Sequence, residues 1–129
     1  MKTWKKVLIG LGVITVVIGG IIGYVFIQQK NDVDNLKFSS IDMKLVKDGL
    51  YNGEVNTTLI KAEVQVEVSD HRIKDIMIIK HDNGLGKQAE VIIDSMKDKN
   101  TYDVDTVSGA TLSSQVIKNA VSQALEKGI

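Results

Sequence analysis

Residues 61–79 read KAEVQVEVSDHRIKDIMII, and this stretch decides the fold class. Valine occupies every second position from 64 to 68, alternating with Glu and Gln, which predicts a half-buried strand over residues 62–68. A more apolar run predicts a second strand over residues 73–79, and only residues 69–72 separate the two. Strands joined this closely pair antiparallel, because a parallel pair needs a crossover of about a dozen residues or more. The stretch therefore predicts an antiparallel hairpin.

The segments on either side of the hairpin complete a small domain. Before it, LYNGEV at residues 50–55 predicts a short first strand. After it, apolar residues at helical spacing predict one helix over about residues 87–97 and a last helix over about 114–127. We expect an α+β fold over residues 47–129, with a small antiparallel sheet covered by two helices.

A long uncharged segment precedes this domain. Residues 7–27 read VLIGLGVITVVIGGIIGYVFI, and as a helix they span roughly 32 Å at about 1.5 Å per residue. This length matches a hydrocarbon core of about 30 Å, and the segment lacks the small-residue cleavage site of a signal peptide. We expect an uncleaved transmembrane signal anchor at 7–27, with residues 1–6 before it and a polar juxtamembrane linker over residues 28–46.

The distribution of charge predicts the orientation of the anchor. Lys2, Lys5 and Lys6 precede the span, whereas residues 28–129 carry 13 basic and 16 acidic side chains. The positive-inside rule then places the N-terminus in the cytoplasm and the domain outside the cell membrane. The slightly acidic domain argues against a nucleic-acid partner on electrostatic grounds, and a chain without cysteine has no disulfide scaffold or thiolate metal site.

The segment DTVSGATLSS at residues 105–114 is the most informative for chemistry. Its small centre, Gly109-Ala110, would let a bulky ligand approach the backbone, and the predicted helix after it supplies unpaired amide donors that suit an anion. The residue types leave a second interpretation open, an ordinary helix start capped by Ser113 or Ser114. Five hydroxyl side chains fall within this segment: Thr106, Ser108, Thr111, Ser113 and Ser114.

These residues resemble the D-x-x-[ST]-G-A-T-x-[ST]-S signature of the FMN-binding domain family. That family includes the C subunit of the sodium-translocating NADH:quinone reductase and the G subunit of Rnf electron-transport complexes. DGLYNG at residues 48–53 is similar to the family's D-G-x-Y-x-G opening. Residues 72–76 resemble its G-x-I-x-x-I strand, although His71-Arg72 replaces the usual glycine. The resemblance covers about residues 47–127.

The resemblance implies that Thr111 is esterified to the phosphate of FMN. A threonine hydroxyl is a poor nucleophile at neutral pH and needs activation, so a separate Mg-dependent flavin transferase with FAD as donor is implied. Asp105 would either help that enzyme recognise the segment or be a solvated loop carboxylate. Beside Thr111, the cofactor site would comprise Ser108, Gly109, Ala110, Leu112 and Ser113, together with Asp105.

The resemblance further implies an extracytoplasmic, membrane-anchored flavoprotein that transfers electrons. We expect an electron carrier or a subunit of a redox complex more than a stand-alone enzyme, with no catalytic residues and no metal site of its own. The implied partners are the flavin transferase, a membrane oxidoreductase or quinone-linked donor, and an extracellular electron acceptor or reductase. The alternative is a non-redox, membrane-anchored binding or accessory module of the same fold.

Other motifs carry weaker signals. GLGKQA at residues 84–89 matches the dinucleotide fingerprint, but the antiparallel hairpin before it argues for a strand-to-helix turn or a border of the flavin ring. His71 and His81 lack the spacing of metal ligands. Tyr51 and Tyr102 are expected either to stack near a flavin or to pack at the sheet edge.

Overall fold

A computed structural model defines the fold of the chain. It describes residues 2–38, 40–82 and 87–129, except for the side chains of residues 81, 82, 87 and 88. The helices are α1 (Lys2–Asp34), α2 (Ile92–Lys99) and α3 (Thr111–Glu126), and the strands are β1 (Gly49–Asn56), β2 (Lys61–Ser69) and β3 (Arg72–Asp82). Short 3₁₀ helices lie at Met43–Leu45 and Lys87–Val91.

The three strands form one antiparallel sheet in the order β1-β2-β3, which confirms the predicted fold class. Ser69 pairs directly with Arg72, so Asp70 and His71 form a two-residue turn in which both have positive φ (54° and 59°). Two positive φ angles characterise the type I′ turn, whose twist matches that of the strands it joins. The alternating valines of β2 are buried on the helix side of the sheet, as the period-2 pattern predicts.

Helix α3 lies across β1 and β2 and supplies most of the second layer. Its predicted apolar stripe is confirmed: Val116, Ile117, Ala120, Val121, Ala124 and Leu125 are fully buried. The backbones approach most closely at Gly53, where a Cβ atom would collide with the carbonyl oxygen of Ala120. A residue without a side chain is therefore required at position 53 for α3 to lie on the sheet.

The helix predicted over about 87–97 divides into two parts in the structure. A 3₁₀ helix occupies Lys87–Val91, and α2 follows at Ile92–Lys99 and ends at Asn100 in the left-handed conformation. Ala89, Ile92 and Met96 are buried, as their spacing predicts. Apolar residues three apart suit either kind of helix, so the sequence pattern did not separate the 3₁₀ turn from the α-helix.

The structure differs from the prediction of a polar linker starting at residue 28, because α1 continues to Asp34. Gln29 is buried against the turn between β1 and β2, where its Oε1 accepts hydrogen bonds from the Thr57 hydroxyl (2.9 Å) and the Leu59 N–H (2.6 Å). A glutamine looks like a linker residue in the sequence, but here donors 28 and 30 positions away satisfy its carbonyl oxygen.

Asp32 makes a second connection one turn further along α1. One of its carboxylate oxygens accepts hydrogen bonds from both the N–H (2.8 Å) and the hydroxyl of Thr58. Val33, on the same part of the helix, belongs to the buried core. The end of α1 is therefore docked on the domain.

Within the described residues, α1 is the one helix long and apolar enough to cross a membrane. Its most apolar window of 18 residues has a mean hydropathy of 2.4, and none of that window is buried inside the protein. The helix is consistent with a single-pass membrane anchor. The orientation of that anchor stays a prediction.

Candidate functional site

Helix α3 begins at Thr111, about three residues earlier than predicted. Ala110 occupies the N-cap position, and no side chain caps the helix there. The interpretation of Ser113 or Ser114 as an N-cap is therefore wrong, since both lie inside the helix and are buried. The sequence pattern favoured a serine start because serine is common at N-caps.

Ser114 instead holds the loop that leads into α3. Its Oγ accepts a hydrogen bond from the N–H of Val107 (3.0 Å) and donates one to the carbonyl oxygen of Ala110 (2.7 Å). The N–H of Ala110 also donates to the carbonyl oxygen of Val107 (3.0 Å), which closes a turn. These three hydrogen bonds fix the backbone immediately before Thr111.

The centre of this turn is open to solvent. Gly109 has a φ of 81°, in the left-handed region that favours glycine, and no atom lies within 4 Å of the position a Cβ would take. Ser108 and Gly109 are exposed, and Thr111 is exposed at the first position of the helix. Thr111 is thus accessible from solvent.

The first turn of α3 can also bind an anion. An α-helix leaves its first N–H groups without an acceptor inside the helix, and here these groups belong to Thr111, Leu112 and Ser113. The positive end of the helix dipole lies at the same place and favours a negative group, phosphate in particular.

A cavity of about 600 Å³ opens beside Thr111. Small-molecule sites in proteins commonly measure about 300–1,000 Å³ and combine apolar walls with a few polar groups. This cavity falls within that range of volume, and five of its nine lining residues are apolar while four are polar. Its lining comprises Phe26, Lys30, Val33, Asp34, Leu36, Phe38, Thr111, Leu112 and Gln115.

The structure brings six of the seven predicted site residues together, but only two of the seven line the cavity. Residues 108–113 are contiguous around the start of α3, and Thr111 and Leu112 line the cavity. Ala110 and Ser113 are buried beneath them. Asp105 is exposed on the loop before the turn and is not part of the cavity lining.

Sequence reasoning missed the side of the cavity formed by α1 and the segment after it. Phe26, Lys30 and Val33 recur at helical spacing, which is the one signal that could have marked a common face. The prediction that the span ends at residue 27 divides this spacing between an anchor and a linker.

Tyr51 and Tyr102, the two tyrosines considered for the flavin site, have different environments. Tyr102 is buried and stacks on Phe38, with ring centroids 6.0 Å apart and an interplanar angle of 12°. Burial raises the pKa of the Tyr102 phenol, and the negative charge of Asp103 raises it further. Tyr51 packs against Gly128 at the sheet edge, and its hydroxyl donates to the carbonyl oxygen of Lys47 (2.6 Å).

Two weaker motifs have different outcomes. His71 has its Nδ1 atom 3.1 Å from the carbonyl oxygen of Val46. The side chain of His81 and most of the G-x-G-x-x-A segment lie outside the described residues, so the expectations for them stay predictions.

Comparison with known proteins identifies the family. The family model for the FMN-binding domain matches residues 59–126, more than half of the chain. The chain belongs to the FMN-binding domain family. This match confirms the resemblance drawn from the residues around Thr111 and supports FMN as the ligand of this FMN-binding domain.

A solved structure supports the fold of this FMN-binding domain. A Clostridium perfringens protein of known crystal structure is 21% identical in sequence to this chain. The matched region covers 64% of this chain and 88% of that protein, and the two structures superpose with a TM-score of 0.52. No curated protein matches the chain. At this identity the similarity concerns the fold alone.

Proposed function

We propose that this FMN-binding domain carries FMN covalently on Thr111 and transfers electrons at the outer surface of the cell membrane. The observation that carries the proposal is the position of Thr111. It lies within the matched family segment, is exposed at the first residue of α3, and lines the cavity. The long apolar helix α1 supports attachment to a membrane.

The residues around Thr111 fit the group proposed for them. The N–H groups of the first turn of α3 suit the phosphate, and Gly109 leaves open space beside it. The five apolar residues of the cavity lining suit the ring, and the volume suits a ligand of this class. FMN, when bound, supplies the redox chemistry, while the protein supplies its position and electrostatic surroundings.

Attachment requires a second enzyme. A threonine hydroxyl is a weak nucleophile at neutral pH unless a base activates it. In the proposed reaction a bond forms between Oγ1 of Thr111 and the FMN phosphorus of FAD. The pyrophosphate bond of FAD breaks, AMP leaves, and a base of the Mg-dependent transferase takes the hydroxyl proton.

The proposed role after attachment is that of an electron carrier. A membrane oxidoreductase or quinone-linked donor would deliver electrons, and an extracellular acceptor or reductase would receive them. The docking of α1 on the domain supports this role, because it holds the cofactor segment at a defined place relative to the anchor.

The test is production of the full chain with an active flavin transferase, followed by denaturation. We expect the wild-type chain to keep flavin fluorescence after denaturation and to gain the mass of one FMN less one water. Thr111→Ala should lose both signals completely, whereas Thr111→Ser should keep them because the hydroxyl is retained. Thr106→Ala is the matched control, since Thr106 lies in the same segment but outside the cavity lining. An unmodified wild-type chain would favour the non-redox binding module instead.

A further inference from the structure

Helix α1 forms the side of the cavity opposite α3. Phe26, Lys30 and Val33 lie on one face of α1 and line the same cavity as Thr111. These residues precede the family match at residues 59–126 by more than 25 positions. The matched family segment therefore does not include this wall.

The wall is held in place by hydrogen bonds and packing. Gln29 and Asp32, on the neighbouring face of α1, bind the turn between β1 and β2. Val33 is 7% exposed and belongs to the core. These contacts join residues of the chain itself and hold the α1 side of the cavity against the domain.

The segment that follows α1 completes the wall. Leu36 and Phe38 line the cavity, and Phe38 rests on the buried ring of Tyr102. The carbonyl oxygen of Lys37, between them, accepts a hydrogen bond from Asn119 Nδ2 of α3 (2.7 Å). This bond ties the segment to α3, 82 positions further along the chain.

Two opposite charges lie at the cavity. Lys30 and Asp34 are exposed residues of α1 that both contribute to its lining. A positive group near a redox centre stabilises the negative charge added on reduction, and a negative group opposes it.

We infer that the FMN ring lies in this cavity, between the first turn of α3 and the end of the membrane helix, and that Lys30 and Asp34 set its reduction potential in opposite directions. The inference rests on the proposed attachment at Thr111. It assigns to residues 26–38 a role in the cofactor site in addition to their connection with the anchor.

The location of the ring is tested by fluorescence on the flavinylated full chain. Leu36→Trp places an indole in the cavity lining, where contact with the flavin should quench most of its fluorescence. Leu50→Trp is the matched control, because Leu50 is an exposed leucine of β1 outside the cavity lining. Equal fluorescence of the two flavinylated variants would overturn the location.

The role of the charges is tested by redox titration. Lys30→Gln should lower the midpoint potential of the bound flavin, and Asp34→Asn should raise it. Lys44→Gln removes an exposed charge outside the cavity lining and should leave the potential unchanged. Potentials of all three variants equal to that of the wild type would overturn the role of Lys30 and Asp34. A wild-type chain without covalent flavin would overturn the proposed function itself, so the two failures are distinguishable.

Discussion

Ser114 shows how one hydroxyl determines the geometry of the cofactor segment. It is fully buried, and its oxygen both accepts from the N–H of Val107 and donates to the carbonyl oxygen of Ala110. A backbone N–H that is buried without a partner costs about 1–3 kcal/mol. The exposed position of Thr111 therefore depends on a side chain that no flavin needs to touch.

Ser114→Ala should lower the free energy of unfolding by about 1–3 kcal/mol, because the N–H of Val107 loses its acceptor. It should also lower the fraction of chains that become flavinylated, since the turn before Thr111 loses two of its three hydrogen bonds. Chemical denaturation and the ratio of flavin to protein measure the two effects.

The matched control is Ser122→Ala on the same helix. Ser122 is also buried, but its hydroxyl only donates to the carbonyl oxygen of Asn119 (2.8 Å). Its removal should cost less than Ser114→Ala, because no backbone N–H loses its acceptor. Similar losses of stability and flavinylation for both variants would contradict the role given to Ser114.

At the scale of elements, the important contact joins the end of α1 to the turn between β1 and β2. The Oε1 atom of Gln29 accepts two hydrogen bonds, while its Nε2 atom is buried without a partner among the described residues. A buried donor of this kind costs free energy. The two accepted bonds and the packing of Val33 therefore stabilise the docked position against that cost.

Gln29→Ala should release the docked end of α1. The N–H of Leu59 then loses its acceptor. If the free energy of local opening falls by about 1.4 kcal/mol, amide exchange becomes about tenfold faster. Hydrogen exchange of the purified full chain in detergent measures this at residues 57–60. Asn31→Ala, an exposed position on the same helix, is the control and should leave exchange at Leu59 unchanged. Unchanged exchange in Gln29→Ala would show that packing alone holds the helix.

At the scale of the whole molecule, the distribution of charge predicts which side of the membrane the domain occupies. Three lysines precede the uncharged segment, whereas the domain after it has a small excess of acidic residues. The chain contains no cysteine, so single-cysteine variants report one position at a time.

Glu126→Cys should react with a membrane-impermeant maleimide in intact cells, because the positive-inside rule places the domain outside. Thr3→Cys should react only after the membrane is permeabilised. Replacing the three N-terminal lysines with glutamine should reduce the difference in labelling between the two variants in intact cells, since the charge bias that orients the anchor is removed. Labelling of Thr3→Cys alone in intact cells would show the opposite orientation.

Local patterns determined much of this protein. The alternation over residues 62–68 and the short join after it determined the antiparallel hairpin, because side chains alternate between the two faces of any strand. The apolar run before residue 28 determined a helix able to span a membrane, and the residues around Thr111 indicated the family that the match over residues 59–126 shows. Each of these signals lies within one contiguous segment, so it is present in the sequence.

Tertiary structure alone decided where α3 begins, what the first part of the predicted linker does, and which residues face Thr111. Ser114 bonds backward to Val107 instead of capping the helix, and Gln29 bonds to a turn about 30 positions away. The cavity likewise joins residues 26–38 to residues 111–115. These contacts depend on which distant donors and surfaces the packed elements bring together, and the pattern of a single segment carries no information about that.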